Sequence, residues 1–438
     1  MTFPKTRATR RLSVAATALA TTALAVTSMG VAAEGETSMR SNYSDPVPKQ
    51  AMQDMLDYCS EQTGTSISIN TLQHEDYQNT FSQALQATPE DILAWFAGFR
   101  MRFFADQGLL GPISDVWEEA GANYSEAFKT ASTGNDGEQY FIPIYNYPWV
   151  INYRPSLFEE NGWEVPTTLD ELVALGEEIN AAGIVPIAFA DKQGWPAMGF
   201  FDILNMRQNG YDFHVGLMAG DEKWTDPRVV DVFETWRSLT PYLQEGALGR
   251  DWQEAAQAVL NKEAAMMFIG TFFGEQIPLY AGEDASQEDI DAIYADWDFF
   301  TFPVLGNEFD AEMAIDAPID GLLMAAEPAN PEGAKAMLAC LGTGAAQDIF
   351  LTASPNNVAA ASDADTSAYS PAQQRMAEII SGAGAIAQFL DRDTRPDFAG
   401  PQGMQGFLQN FLDDPEQDLE SFLQGIQDFW DTLAPLSL

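Results

Sequence analysis

Residues 140–172 read YFIPIYNYPWVINYRPSLFEENGWEVPTTLDEL, and this stretch decides the fold. It opens on an aromatic and β-branched run, residues 140–144, which predicts a buried strand. A proline-containing aromatic turn follows, and a second strand is predicted over residues 150–153. A short helix should end at Gly162, because Gly commonly follows a helix in the left-handed conformation. Thr168 is predicted to cap the next helix, and Glu171 to complete a capping box with it.

Upstream of this stretch the pattern alternates between helix and strand. The apolar spacing predicts a helix over residues 50–62, a strand over 65–72, a helix over 75–86 and a short buried strand over 92–96. Alternation at these lengths is typical of parallel α/β units. The polar stretch 41–49 that precedes them is expected to be loose.

The order of these elements resembles the family 1 extracellular solute-binding proteins of carbohydrate ABC importers. Around the opening stretch, the residues that match the family's motifs are Gly137, Tyr140, Pro143, Asn152, Tyr153, Leu157, Phe158, Gly162, Pro166, Thr168, Glu171 and Leu172. The similarity continues in the strand-like run 264–270 and in the Asn330-Pro331-Glu332 helix start. It departs at Asn152-Tyr153, where the family has Tyr-Asn, and at Leu169, where the family has Trp.

The resemblance implies an α/β fold of two lobes, the periplasmic-binding-protein fold, with hinge-connected lobes and a largely helical C-terminal part. Lobe I is expected to contain residues 34–143 and 302–330. Lobe II is expected to contain residues 144–301 and 331–438. Crossing strands are expected around residues 141–145 and 299–303, and the lobes would close on a ligand by a hinge motion.

Residues 1–33 have the composition of a signal peptide. Basic residues at positions 5, 7, 10 and 11 precede an apolar run over 12–29, and Val31-Ala32-Ala33 supplies the small residues that a signal peptidase needs. We expect cleavage after Ala33 and a periplasmic or extracellular location. The pattern leaves open whether export follows the Sec or the twin-arginine route.

The chain is strongly acidic. It has 65 Asp and Glu against 21 Lys and Arg, a net charge of −44 over 438 residues. Such a surface repels nucleic acid and anionic lipid, so neither partner is expected. A hydrophobic content of 46% argues against a disordered acidic tail. We expect a folded monomer.

Two cysteines, Cys59 and Cys340, each lie on the apolar face of a predicted helix. Export permits a disulfide. Because pairing cannot be read from sequence, two isolated buried thiols are the favoured interpretation.

Motifs typical of enzymes are missing. The sequence has no G-x-S-x-G, no Walker loop and no G-x-G-x-x-G followed by an acid. His74 and His214 are isolated and have no metal-ligand spacing. We therefore expect no catalysis, no metal and no cofactor, although a carboxylate pair for glycoside hydrolysis stays open as an alternative.

Aromatic residues are frequent at the predicted strand ends, where ligands of open α/β sheets bind. A sugar ring has an apolar face that aromatic rings cover. The candidates are Trp95, Trp149, Trp195 and Phe272. Core packing is an equal alternative for any one of them, but a Pro or Gly neighbour favours the last three as ligand contacts.

Polar candidates lie in two segments. Asp320-Gly321 opens a predicted strand, and the family resemblance puts this step at the interlobe cleft; the alternative is an Asp-Gly turn. Phe389, Asp391 and Arg392 lie in a late loop, from which members of the family commonly present an aromatic residue and an acid. The alternative there is a surface salt-bridge loop.

The resemblance thus implies a binding protein that captures a carbohydrate, an oligosaccharide or a glucoside, and delivers it to the membrane permease of an ABC importer. Two alternatives remain. One is a secreted carbohydrate-active hydrolase, and the other is a binding protein for a compatible solute, an amino acid or a peptide.

Overall fold

A computed structural model describes residues 36–434 of the chain. The expected signal peptide, residues 1–33, lies outside the described residues.

The described residues form twelve β-strands, namely β1 (Glu36–Ser41), β2 (Ser66–Thr71), β3 (Ile92–Phe96), β4 (Phe141–Asn146), β5 (Trp149–Tyr153), β6 (Val185–Ile187), β7 (Ala264–Gly270), β8 (Asp298–Phe300), β9 (Ala314–Asp316), β10 (Ile319–Met324), β11 (Val358–Ala359) and β12 (Ala385–Ala387). The α-helices of the same residues are α1 (Pro46–Thr63), α2 (His74–Gln86), α3 (Phe99–Ala105), α4 (Ser114–Ala120), α5 (Glu126–Ala131), α6 (Pro155–Asn161), α7 (Leu169–Ala181), α8 (Pro196–Asn209), α9 (Tyr211–Ala219), α10 (Pro227–Leu239), α11 (Trp252–Leu260), α12 (Gln276–Ala281), α13 (Gln287–Ala295), α14 (Pro331–Leu341), α15 (Gly344–Ala353), α16 (Pro371–Gly382), α17 (Leu390–Asp393), α18 (Pro396–Ala399), α19 (Met404–Asp413) and α20 (Leu419–Thr432). The predicted α/β class is confirmed.

Three sheets organise these elements. A six-stranded sheet has the order β11-β4-β10-β3-β1-β2, and a four-stranded sheet has the order β6-β7-β5-β8. In the larger sheet β1 runs parallel to β2 and β3, whereas β10 is antiparallel to both of its neighbours, β3 and β4. A small parallel pair, β12 with β9, stands apart from both.

The stretch that decides the fold also joins the two larger sheets. Strand β4 lies in the six-stranded sheet and β5 in the four-stranded sheet, so the chain crosses between them at Tyr147-Pro148. The predicted capping box at the start of α7 is present, with Thr168 accepting from the backbone of Glu171. Gly162 ends α6 with a φ of 73°, in the left-handed conformation that the sequence predicted.

Helix α1 begins earlier than predicted. The stretch 41–49 was expected to be loose, but Pro46 stands in the first turn of α1, and Asp45 precedes it in an extended conformation. A proline at the first helical position loses no hydrogen bond, because the first backbone N–H groups of a helix have no partner within it. Residues 46–49 are therefore helical, and residues 42–45 form the short connection from β1.

Cys59 and Cys340 form a disulfide with a Cα–Cα distance of 5.7 Å. The favoured interpretation as two isolated thiols is therefore wrong. Helices α14 and α15 pack against α1, which brings together two cysteines that are 281 residues apart. The helical pattern around each cysteine correctly indicated burial of Cys59, but it carries no information on the partner helix.

Among the described residues, no single helix is long and apolar enough to cross a membrane. The helices α14 and α15 reach that length and apolarity only together, and they are bent by 70° relative to each other.

Candidate functional site

A cavity of about 140 Å³ lies where the two larger sheets meet. Its lining comes from three groups of elements. From the β1–α1 and β2–α2 connections come Asn42, Tyr43, Ser44, Asp45 and Gln73, and from α1 and α2 come Pro48, His74, Glu75 and Gln78. From the sheet junction come Tyr145, Tyr147, Trp149, Pro318 and Asp320. From the remaining loops and helices come Trp195, Trp252, Gln253, Phe272, Glu275, Asn357, Phe389, Asp391 and Arg392.

Five aromatic rings form one wall of the cavity. Trp149 contacts Trp195 edge-on at 6.1 Å between ring centroids and Phe389 at 4.9 Å. Phe272 contacts Trp195 at 5.9 Å and Trp252 at 5.1 Å, both edge-on. Trp149 and Phe389 are buried, while Trp195 and Phe272 are only partly buried. The two partly buried rings therefore offer the accessible apolar surface of this wall.

Glycine and backbone strain shape the aromatic wall. A Cβ on Gly199 of α8 would lie 2.5 Å from the Trp149 ring and 2.8 Å from the Phe389 ring, so both rings require Gly at this position. Phe389 itself has a φ of 100°, a conformation that costs a residue with a side chain about 1–3 kcal/mol. The next amide, Leu390 N, donates to the buried carboxylate of Asp202 at 2.6 Å. This bond holds the strained connection that leads into α17.

An ion pair links α17 to the centre of the six-stranded sheet. Arg392 Nη1 donates to Asp320 Oδ1 at 2.6 Å, and Arg392 Nη2 donates to the Tyr147 hydroxyl at 3.1 Å. Tyr145 donates to the second oxygen of Asp320 at 3.3 Å. The pairing of β10 with β4 shifts register between Asp320 and Gly321, and such a bulge commonly re-aims a side chain next to a binding site.

A second ion pair lies beside the first. Arg100 of α3 donates from Nη1 to Asp391 Oδ2 at 2.7 Å. The Arg392 guanidinium also lies over the Phe96 ring, 3.9 Å from its centroid. Burial lowers the pKa of Arg392, but Asp320, Tyr147 and Asp391 raise it by more, so the net shift is upward. Both guanidinium groups stay charged, and their acids are held in fixed positions.

His74 lies between two amide side chains. Its Nδ1 is 3.3 Å from Asn42 Nδ2, and its Nε2 contacts Gln78. Burial lowers the pKa of His74 to about 4, so the imidazole is neutral at neutral pH. A neutral imidazole has one donor and one acceptor nitrogen, so His74 can present a fixed hydrogen-bonding pattern next to the cavity.

Several polar atoms of the lining are buried and have no hydrogen-bond partner among the described residues. They are Trp149 Nε1, Trp195 Nε1, Asn357 Oδ1, Asp391 Oδ1 and Arg392 Nε, of which the last two lie 3.7 Å apart as an ion pair. Unpaired buried polar groups cost about 1–3 kcal/mol each, so such a concentration in one cavity is typical of a site that a polar ligand completes.

The structure brings together seven of the nine candidates from the sequence, namely Trp149, Trp195, Phe272, Asp320, Phe389, Asp391 and Arg392. It does not bring Trp95 or Gly321 to the cavity. Trp95 stacks on Phe81 at 3.5 Å, in a second core cluster behind the six-stranded sheet. Gly321 packs within the sheet, where a Cβ would lie within 2.1 Å of the Ile142 carbonyl oxygen.

Several residues of the lining were not predicted from the sequence. Asn42, Tyr43 and Asp45 lie in the stretch that was expected to be loose, and His74 was set aside as an isolated histidine. The available signal was their position after β1 and β2, because ligands of open α/β sheets bind beyond the carboxyl ends of strands. Among the described residues, no group of three or more His, Cys, Asp or Glu side chains is arranged to hold a metal ion.

Comparison with known proteins identifies related chains. A family model described as bacterial extracellular solute-binding protein matches residues 36–348. The bacterial solute receptor AcbH, described as having an exclusive substrate preference for β-D-galactopyranose, is 39% identical, with a TM-score of 0.86 over 91% of this chain and 99% of that chain.

Two curated relatives are more distant in sequence. An uncharacterized ABC transporter extracellular-binding protein of Pyrococcus horikoshii is 26% identical over 69% of this chain. The match spans 65% of that relative's own length. An alpha-glucosides-binding periplasmic protein of Rhizobium meliloti is 22% identical over 86% of this chain and 83% of its own.

Proposed function

The chain belongs to the bacterial extracellular solute-binding protein family, and from this premise we propose that it captures a carbohydrate in the cavity described above and delivers it to the permease of an ABC importer. The observation that carries the proposal is the composition of the cavity: an aromatic wall faces a set of fixed charged groups. Aromatic rings cover the C–H face of a sugar ring. Carboxylate and guanidinium groups bind its hydroxyls through charge-assisted hydrogen bonds.

We propose that the ligand is a single pyranose ring. The cavity of about 140 Å³ has room for roughly ten water molecules, which is comparable to the dozen non-hydrogen atoms of one hexose. The preference for β-D-galactopyranose described for the receptor AcbH supports the same size. The oligosaccharide or glucoside that the sequence favoured is a larger ligand than this volume suggests.

Seven of the predicted site residues are proposed as ligand contacts, because they line the cavity: Trp149, Trp195, Phe272, Asp320, Phe389, Asp391 and Arg392. Trp95 and Gly321 are instead proposed to stabilise the structure around the site without contacting the ligand. Trp95 lies 5.0 Å from the Arg100 guanidinium and so supports the residue that pairs with Asp391.

We propose two lobes, one built around each of the larger sheets, with the crossing at Tyr147-Pro148. The contacts of α14 and α15 with α1 favour assigning residues 331–353 to the lobe of the six-stranded sheet, although the sequence suggested the other lobe. The short helix α17 contacts α3 on the side of the six-stranded sheet and α8 on the other side, so it connects the proposed lobes.

We further propose that the protein is exported and acts as a monomer without catalysis. The Cys59–Cys340 disulfide supports export, because disulfides persist in oxidising compartments. A net charge of −44 argues against nucleic acid as a partner. Asp320 and Asp391 are each paired with an arginine, which argues against either acting as a general acid.

Thermal unfolding in the presence of mono- to tetrasaccharides tests this proposal. A ligand that binds only the native protein raises its melting temperature by mass action. We expect at least one monosaccharide, D-galactose first among them, to raise the melting temperature in a concentration-dependent way. Release of a shortened sugar during incubation would instead support a hydrolase.

A further inference from the structure

The cavity holds more acid than its cations can neutralise. Its lining includes five carboxyl groups, those of Asp45, Glu75, Glu275, Asp320 and Asp391, but among Lys and Arg only Arg392. Arg100, just outside the lining, pairs with Asp391, and Arg392 pairs with Asp320. Two cations are therefore committed to two acids, and three acids remain.

The three remaining acids differ in their surroundings. Glu75 lies in the first turn of α2, where the helix dipole favours a negative charge. Asp45 is half-buried just before α1 and accepts from the Gln253 amide at 3.3 Å. Glu275 is 8% exposed and has no cation within ion-pair distance among the described residues. Of the three, Glu275 is the acid for which a negative charge is least favourable.

The position of Glu275 follows from the aromatic wall. It ends the 3₁₀ turn Thr271–Glu275 that directly follows β7, so the turn that carries Phe272 also carries this carboxyl group to the cavity. Burial raises the pKa of Glu275 well above its usual value, and the neighbouring acids Asp45 and Asp320 raise it further, while the Ser354 hydroxyl lowers it in part. The buried position of Glu275 and its raised pKa both favour a carboxyl group that keeps its proton.

We propose that Glu275 is a ligand-binding residue that lines the cavity as a neutral carboxylic acid and donates its proton in a hydrogen bond to an oxygen of the bound sugar. This inference rests on the proposed function for the identity of the ligand. It adds a donor to a site whose other acids, Asp320 and Asp391, only accept. It also lowers the number of uncompensated acids in the cavity from three to two.

The titratable and charged groups near Glu275 come from all sides of the cavity. They are Tyr43 and Asp45 from the connection before α1, His74 and Glu75 from α2, Tyr145 and Tyr147 from the crossing, Asp320 from β10, Tyr294 from α13, and Asp391 and Arg392 from α17. His74 is neutral at neutral pH, and the charge of Arg392 is taken up by Asp320. None of them therefore offers a free positive charge to an ionised Glu275.

The proposal predicts how sugar affinity and protein stability change with pH. Raising the pH removes the proton of Glu275, which deletes the donor and adds a negative charge beside Asp45 and Asp320. Sugar affinity should therefore decrease as the pH rises. The folded ligand-free protein should also lose stability as the pH rises, because a group whose pKa is raised by folding stabilises the native state only while it keeps its proton.

The test compares Glu275→Gln and Glu275→Ala with the parent, using the exposed acid Glu288 as a matched control, Glu288→Gln. Calorimetric titrations with D-galactose at pH 5, 7 and 9 measure affinity, and urea unfolding at the same pH values without sugar measures stability. We expect the affinity of the parent and of Glu288→Gln to decrease severalfold from pH 5 to pH 9. Glu275→Gln, which keeps a donor, should lose less than tenfold in affinity and show no such pH dependence. Glu275→Ala should lose more than tenfold.

Two results would overturn the inference. One is that Glu275→Gln loses as much affinity as Glu275→Ala, since the carboxylate itself would then be required. The other is tighter binding of D-galactosamine than of D-galactose that depends on Glu275, since the acid would then pair with a cation. If the parent binds no sugar, the proposed function fails, while the unfolding series still decides whether Glu275 is neutral: the parent must lose stability relative to Glu275→Gln as the pH rises.

Discussion

Arg392 Nη1 lies 2.6 Å from Asp320 Oδ1, which joins the short helix α17 to the central strand β10. Both side chains are nearly buried, with 8% and 12% of their surface exposed. A buried ion pair adds little net stability, but removal of one partner leaves an uncompensated buried charge. The pair therefore fixes the position of α17, and with it Phe389 and Asp391, relative to the aromatic wall.

The first prediction concerns this pair. Asp320→Ala and Arg392→Met should each reduce the free energy of unfolding by about 3–5 kcal/mol, because each leaves the other charge buried and unpaired. The double variant should lose less than the sum of the two single losses. Urea unfolding of all four proteins measures the coupling. As a control, Arg375 and Asp298 form a more exposed ion pair, which should contribute about 0–1 kcal/mol. Additive losses at the buried pair would contradict the account.

The second prediction concerns Trp195. Because its ring is only partly buried, Trp195→Ala should weaken sugar binding about tenfold while changing the melting temperature little. Calorimetry and thermal unfolding give the two readouts. Trp163 is a matched control, since it is also partly buried but packs on Phe158 away from the cavity. Equal affinity losses in Trp195→Ala and Trp163→Ala would mean that the Trp195 ring supports binding by stabilising the fold and does not contact the sugar.

The third prediction concerns the disulfide. Replacing Cys59 and Cys340 together by Ser should reduce the free energy of unfolding by about 2–5 kcal/mol, because the cross-link restricts the unfolded chain. Sugar affinity should be unchanged, since neither cysteine lines the cavity. A parent protein that unfolds identically with and without a reductant would argue against a structural role for the bond.

The fourth prediction concerns pH and a buried acid that does not line the cavity, Asp191. Burial raises the pKa of Asp191 to about 8, and one of its oxygens accepts from the Ala197 N–H at 2.8 Å. Since folding raises this pKa, the stabilising contribution of Asp191 is complete below about pH 4 and is lost as the pH rises towards 8. Asp191→Asn should remove this part of the pH dependence of unfolding. The exposed Asp212→Asn should leave it as in the parent.

Local features of the fold were predictable from the sequence. Strands β3 and β7 have the predicted bounds, and the capping box of Thr168 and Glu171 is present. In each case neighbouring residues determine the structure: an apolar run bounded by polar or Gly residues, or a cap three positions from its partner. The resemblance to family 1 extracellular solute-binding proteins is confirmed, and so is the two-lobe fold class.

Long-range features were not predictable in the same way. The pairing of Cys59 with Cys340 depends on how α14 packs on α1, and no local pattern reports that contact. Trp95 lies at a predicted strand end, as the cleft aromatics do, yet it stacks on Phe81 behind the sheet. Conversely, Asn42 and Tyr43 line the cavity although their stretch was expected to be loose. Which side of a strand end faces the cleft depends on sheet topology, and the sequence gives no direct signal of it.

The central claim is that this cavity binds one sugar ring, and isothermal titration calorimetry of the purified protein with D-galactose and with tri- and tetrasaccharides tests it most directly. The account predicts saturable binding of one monosaccharide per chain, and weaker binding by Trp195→Ala. Binding of a tetrasaccharide but of no monosaccharide would contradict the single-ring site. The absence of heat with every sugar, together with saturable binding of a non-carbohydrate solute, would contradict the proposed function itself.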